Sequence, residues 1–272
     1  MPRVRALVVS LLPAVLALTA PAAAAHRPVP DQVQISPPPL HQVEPPDASA
    51  TAEDLEAKGD SLRRQKFFLD ALDYYEAAHH KNPNSAPLYN KIGMCELQLH
   101  WWPKAKQEFE RAIKVDRQYA EAYNNLGVSF YGTKKYSKAI SKYQKAIDLR
   151  PESASFYSNL GAAYFSTKDF QRSALAYAKA LELDPDVFER SSRDGIAAQM
   201  AKPEDRARYD YEIARLYAKM GVADRSLQYL RRAMEEGYKN IESVYKDSEF
   251  AGLRKDPRFT ELMGARPPGI SE

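Results

Sequence analysis

Apolar and polar positions along this chain recur with a period of 34 residues, marked by Gly59, Gly93, Gly127 and Gly161. Twelve positions after each glycine stands a small residue: Ala71, Ala105, Ala139 and Ser173. Four further on comes a large aromatic (Tyr75, Phe109, Tyr143, Tyr177), and three beyond it an alanine (Ala78, Ala112, Ala146, Ala180). An aromatic also precedes each small residue by three: Phe68, Trp102, Tyr136 and Phe170. Three units close on Pro83, Pro151 and Pro185, and the second has Arg117 in that place.

These spacings predict helices. Tyr123, Leu126, Gly127 and Phe130 fall on one helical face, and Ala139, Tyr143 and Ala146 fall on one face of the next helix. Small residues let two backbones approach, an aromatic fills the space beside them, and proline ends the second helix. A unit of this length buries its apolar face only against its neighbours, so the chain reads as a stack of helical hairpins. No alternating runs bounded by hairpin turns point to strands.

The pattern resembles the tetratricopeptide repeat (TPR) family. Tyr123, Leu126, Gly127, Phe130, Ala139, Tyr143, Ala146 and Pro151 match its signature at every position, and the fourth unit departs at Ser173. The first unit is weaker at its start (Leu55, Lys58), and the second places Glu96 where an aromatic belongs. The fold the resemblance implies is all-α: a right-handed α-solenoid of TPR hairpins, here with a C-terminal helical cap. It also implies a concave groove lined by the first helix of each hairpin. The groove residues expected to meet a partner are Asn90, Met94, Asn124, Asn125, Val128, Tyr131, Asn159 and Phe165. They are amides that can both donate and accept, beside apolar side chains. Some TPR domains hold a C-terminal carboxylate with cations in this groove. The matching positions, Asn90, Met94, Asn125, Ser155 and Asn159, carry no cation, so that clamp is missing. Trp101 precedes the regular turn aromatic Trp102 and is a candidate exposed contact.

Residues 1–25 read as a secretory signal: Arg3 and Arg5, an apolar run from Ala6 to Leu18, then an alanine-rich stretch. An uncleaved membrane anchor is the alternative. Cleavage would leave an exported protein, periplasmic or secreted, with no membrane span. Residues 26–50 hold seven prolines and read as a disordered linker. Four units occupy 51–187, and 188–206 breaks the period, with a loop at 190–195. A degenerate fifth hairpin and its cap span 207–265, and 266–272 form a frayed tail. The fifth hairpin keeps Ile213, Ala214, Tyr217, Ser226, Leu230 and Ala233 at the expected offsets.

Composition narrows function mainly by exclusion. Loss of residues 1–25 removes two arginines and no acids, taking the net charge from +3 to +1. That balance argues against a nucleic-acid partner. Cys95 is the sole cysteine, so no internal disulfide forms, and its counterparts Ser61, Ser129 and Ala163 are small, which suggests a buried site. The five histidines show no metal-binding spacing, and no nucleophile elbow or phosphate-binding loop occurs. The reading is a non-catalytic scaffold without cofactor or metal that binds a protein or peptide of unknown identity. Two alternatives stand beside it: a site in 188–206 around Arg190, Arg193 and Asp194, serving an accessory subunit or enzyme, and self-assembly into a homo-oligomer.

Overall fold

A computed structural model describes residues 41–191 and 202–265. Among them all regular structure is helical. The hairpins are α1 (Ala52–Arg64) with α2 (Phe68–Lys81), α3 (Ala86–Gln98) with α4 (Trp102–Val115), α5 (Ala120–Gly132) with α6 (Tyr136–Leu149), and α7 (Ala154–Ser166) with α8 (Phe170–Leu183). Every first helix has 13 residues and every second helix 14, each starting at the same position of its unit. The periodicity has become an α-solenoid, with each helix packed on the next in sequence.

The reason for the glycines lies in the ring opposite each. A Cβ on Gly59, Gly93, Gly127 or Gly161 would stand 2.5–2.7 Å from the ring of Tyr75, Phe109, Tyr143 or Tyr177, closer than carbon atoms can pack. All four rings are fully buried. The aromatic of each second helix is therefore pressed onto the bare backbone of the first. Ser173 satisfies the small-residue requirement in another way: its hydroxyl donates to the Gly161 carbonyl at 2.9 Å. Ser226 does the same to Ala214 at 2.7 Å.

Each first helix ends in a left-handed turn at the same register. Lys66, His100, Lys134 and Lys168 have φ of 65°, 59°, 58° and 62°. Two bonds fix each turn, as in Lys134 N–H to Tyr131 O and Lys135 N–H to Phe130 O, both 2.8 Å. This is the Schellman closure, which favours glycine at the left-handed residue. Only the fifth hairpin uses one there, Gly221 at φ 75°.

Beyond α8 the register breaks without breaking the core. Residues 187–191 form a short helix, α9 (Val187–Ser191), so 190 and 191 are helical where a loop is expected; 192–201 lie outside the described residues. Phe188 is buried edge-on to Tyr177 and Tyr209, which carries the apolar interior across the break. The fifth hairpin is α10 (Pro203–Lys219) and α11 (Ala223–Glu235). Its first helix starts at Pro203, pre-set for a first helical turn, and runs on through Ala207, from which the fifth repeat unit is expected.

The cap consists of short 3₁₀ turns at Ile241–Tyr245, Ser248–Ala251 and Leu253–Lys255, then α12 (Pro257–Ala265). Val244, Phe250, Leu253, Phe259, Leu262 and Met263 are buried in one cluster with Ile213 and Leu230 of the fifth hairpin. Tyr245 of the cap is half exposed.

Residues 41–50 depart from the unstructured linker expected over 26–50. Asp70 of α2 is 2% exposed and accepts the backbone N–H groups of Gln42 (2.9 Å) and Val43 (3.0 Å). Tyr74 donates to the Glu44 carbonyl and Lys81 to that of Ala48. Val43 and Ala50 pack on the core of the first hairpin. A buried carboxylate needs donors, and this segment supplies them.

Two substitutions separate these roles. Gly127→Ala is expected to lower unfolding free energy by about 1–3 kcal/mol, because the methyl must displace the Tyr143 ring. Lys134→Gly is expected to raise it by about 0.5–1 kcal/mol, relieving the left-handed strain net of glycine's greater chain entropy. Urea unfolding of each variant against the parent chain measures both.

Candidate concave interaction face

Successive first helices approach one another directly, α3 with α5 and α5 with α7; no comparable approach links α2 with α4 or α4 with α6. The first helices are thus the inner row of the curve, and their exposed stripe is its concave face.

A ladder of side-chain bonds crosses this face, and each rung joins residues 35 apart. Lys91 Nζ donates to Glu56 Oε1 at 2.6 Å, and also reaches Asp60 Oδ2 at 2.7 Å. Asn125 Nδ2 donates to Asn90 Oδ1, and Asn159 Nδ2 to Asn124 Oδ1, both at 2.9 Å. Asn124 Nδ2 donates to Asn125 Oδ1 at 3.1 Å, which joins the two amide rungs. Tyr131 and Ser166 share a hydroxyl–hydroxyl bond of 2.7 Å, also 35 residues apart. One residue of a unit thus bonds the following unit one position later in its register.

This geometry divides the residues expected to bind a partner. Asn90 and Asn124 are buried at 4% and 8% exposure, and much of their hydrogen-bonding capacity goes into joining units. Tyr131 is buried beside Tyr136, and Phe165 is enclosed edge-on by Phe170 and by Tyr209 of α10. These four are interior residues of the inner row, not open contacts. Their amphipathic chemistry was legible, but which atoms neighbouring units cover was not. Met94, Asn125, Val128 and Asn159 remain part-exposed on the face. Trp101, expected to be exposed, is half-buried against the N-terminal core, with Lys104 Nζ 4.6 Å above its ring.

Two clefts open along the inner row. One, of about 270 Å³, is lined by Arg63, Arg64, Lys66, Phe68, Met94 and Gln98. The other, of about 500 Å³, lies where α7 meets α9, with Ser155, Ser158 and Asn159 on one side and Leu183, Asp184 and Val187 on the other. Sequence spacing missed both, because each is closed by residues about a whole unit apart in the chain.

Among the described residues no three His, Cys, Asp or Glu side chains gather to hold a metal. Cys95 is fully buried, and burial pushes its thiol up to about 12, which leaves it protonated and unreactive. No described helix is long and apolar enough to cross a membrane.

Glu96, the residue standing where the repeat has an aromatic, is 5% exposed and its Oε2 has no hydrogen-bond partner. Burial first, and then the neighbouring Glu108 and Glu76, raise its pKa to about 7, while Lys104 and Arg111 oppose the shift.

A TPR repeat model matches residues 130–168, and a tetratricopeptide repeat model matches 154–187. Tetratricopeptide repeats thus occupy residues 130–187 of this chain. It is 38% identical over 60 residues to tetratricopeptide repeat protein 21B of Xenopus laevis, a stretch covering 22% of this chain and 5% of that protein. The match therefore spans about a twentieth of that relative's length. Among solved structures, a thermophilic TPR protein of Thermus thermophilus superposes with a TM-score of 0.50 at 18% identity, over 78% of this chain and 99% of that one. MamA gives 0.46 at 23% identity, over 68% and 96%.

The TPR departure at Glu96 makes stability depend on pH. The unfolded chain releases this proton near 4.5 and the folded chain near 7, so stability falls as pH rises through that window and is flat above it. Glu96→Gln is expected to remove about 1–3 kcal/mol of the loss between pH 5 and pH 8. Asp210, also raised to about 7 by burial, titrates in both proteins, so the difference between their unfolding curves isolates Glu96.

Proposed function

We propose that this TPR protein is a non-catalytic, exported adaptor that holds an extended or helical segment of another protein along the inner row of α1, α3, α5 and α7. The observation that carries this reading is the part-exposed stripe of Met94, Val128, Asn125 and Asn159, which runs between the two clefts on a backbone fixed by the ladder. A rigid, mostly neutral surface of amides and apolar groups suits main-chain hydrogen bonds and small apolar side chains. Export rests on the reading of residues 1–25, which lie outside the described part. The alternative site in 188–206 rests in part on Arg193 and Asp194, which also lie outside it, and no described group adds to that reading.

Val128→Arg and Ser158→Arg place bulk and charge on the stripe without touching a rung of the ladder. Capture of partners from an extract of the source cells, with the parent and the double variant compared at matched thermal stability, tests the groove. Loss of the captured protein with the variant is expected; equal recovery would remove the concave face as the site.

A further inference from the structure

The left-handed turns that end the first helices carry an array of basic side chains along one edge of the stack. In four successive units the left-handed residue is Lys66, His100, Lys134 and Lys168, each exposed. The same turns add exposed Arg64, Lys104 and Lys135. No acid occurs in 64–68, 98–104 or 132–138, and Asp169 on the fourth turn is taken up by Arg172. Arg64, Lys134, Lys135 and Lys168 make no ion pair among the described residues. The opposite edge of the stack, where second helices lead into the next unit, mixes Asp116, Glu152 and Asp184 with Lys81, Arg117 and Arg150. Cations without interleaved acids thus gather on one edge, in a chain whose net charge is only +3.

Helix electrostatics alone do not account for this placement. A cation at a helix C-terminus gains about 0.3–1 kcal/mol from the macrodipole. A non-glycine residue in the left-handed conformation costs about 1–2 kcal/mol. Lysine at Lys134 and Lys168 is thus held at a local loss with no contact in return, a pattern expected of surface kept for a ligand.

We propose that this edge binds an extended acidic segment of a partner polypeptide, one carboxylate-bearing stretch per turn. The edge adjoins the concave face at its N-terminal end, where Arg64 and Lys66 also line the smaller cleft, and the variant below leaves both in place. Neighbouring packed helices lie about 10 Å apart, which is roughly three residues of extended chain, so Asp or Glu at every third position meets successive rungs. A solenoid edge winds as units stack, and a flexible chain follows such a line where a flat bilayer does not. The exposed large apolar residues, Val115, Leu175, Met220 and Tyr245, lie outside these four turns, so the edge carries no wedge for insertion into lipid. Recognition here is by charge complementarity.

A fluorescein-labelled peptide of repeated Glu-Gly-Ser, titrated with the full chain at low and high salt, tests the assignment by anisotropy. The edge variant is Lys134→Glu, Lys135→Glu and Lys168→Glu together. The control is Lys114→Glu, Lys145→Glu and Lys239→Glu, exposed positions off the edge with the same change in net charge. Binding to the parent, weakened by salt and about tenfold weaker in the edge variant but nearly unchanged in the control, is the expected result. Absence of binding, or equal weakening in both variants, overturns the proposal. Tighter binding of phosphatidylserine vesicles or of a single-stranded oligonucleotide, sensitive to the same reversal, overturns it in favour of that partner class. If thermal unfolding shows the edge variant to be destabilised, Lys134→Asn with Lys168→Asn replaces it, since asparagine tolerates the left-handed turn.

Discussion

The structure depends on an aromatic ring resting on a glycine. In each of four hairpins the ring of Tyr75, Phe109, Tyr143 or Tyr177 occupies the volume that a Cβ would take on the facing helix. This contact sets how close the two helices lie, and it fixes the rotation of each about its own axis. Every other regularity follows from that rotation. The small residues at Ala71, Ala105, Ala139 and Ser173 face the same crossing, and the first helices turn a constant stripe inward.

Repetition then converts local geometry into long-range order. A bond made once between adjacent units recurs at the next pair with the same separation, which is why Lys91–Glu56, Asn125–Asn90, Asn159–Asn124 and Tyr131–Ser166 all join residues 35 apart. The chemistry of the rungs changes along the stack from an ion pair to amides, and a hydroxyl pair adds a second rung between α5 and α7. Charged rungs sit near the N-terminal end, where residues 41–50 also pack on α2. Past Phe188 the same interior is continued by different means: edge-on aromatics, the serine at Ser226 and a cap of short turns.

The departures from the repeat show where local rules yield. Glu96 replaces an aromatic and stays buried with one oxygen unpaired, so its proton takes the place that packing holds in the other units. Lysine or histidine replaces glycine in four left-handed turns whose backbone bonds are otherwise regular. Neither departure disturbs the helices, because each hairpin is held by its ring-on-glycine contact and not by the residue that breaks the pattern.

The sequence by itself determined the hairpins, their register and the end of the regular array, because helical spacing and a fixed period are properties of the order of residues. It also marked Asn90, Asn124, Tyr131 and Phe165 as lying on the inner row. Only the tertiary structure decided that these four are closed off, since burial depends on how far one unit leans onto the next. It likewise decided that residues 41–50 are packed on α2, because the buried Asp70 carboxylate holds two backbone N–H groups of a segment with no helical or strand signal of its own. The two clefts and the cationic edge belong to that level as well. Each brings together residues a whole unit apart, and nothing in a single unit reports what stacking will place beside it.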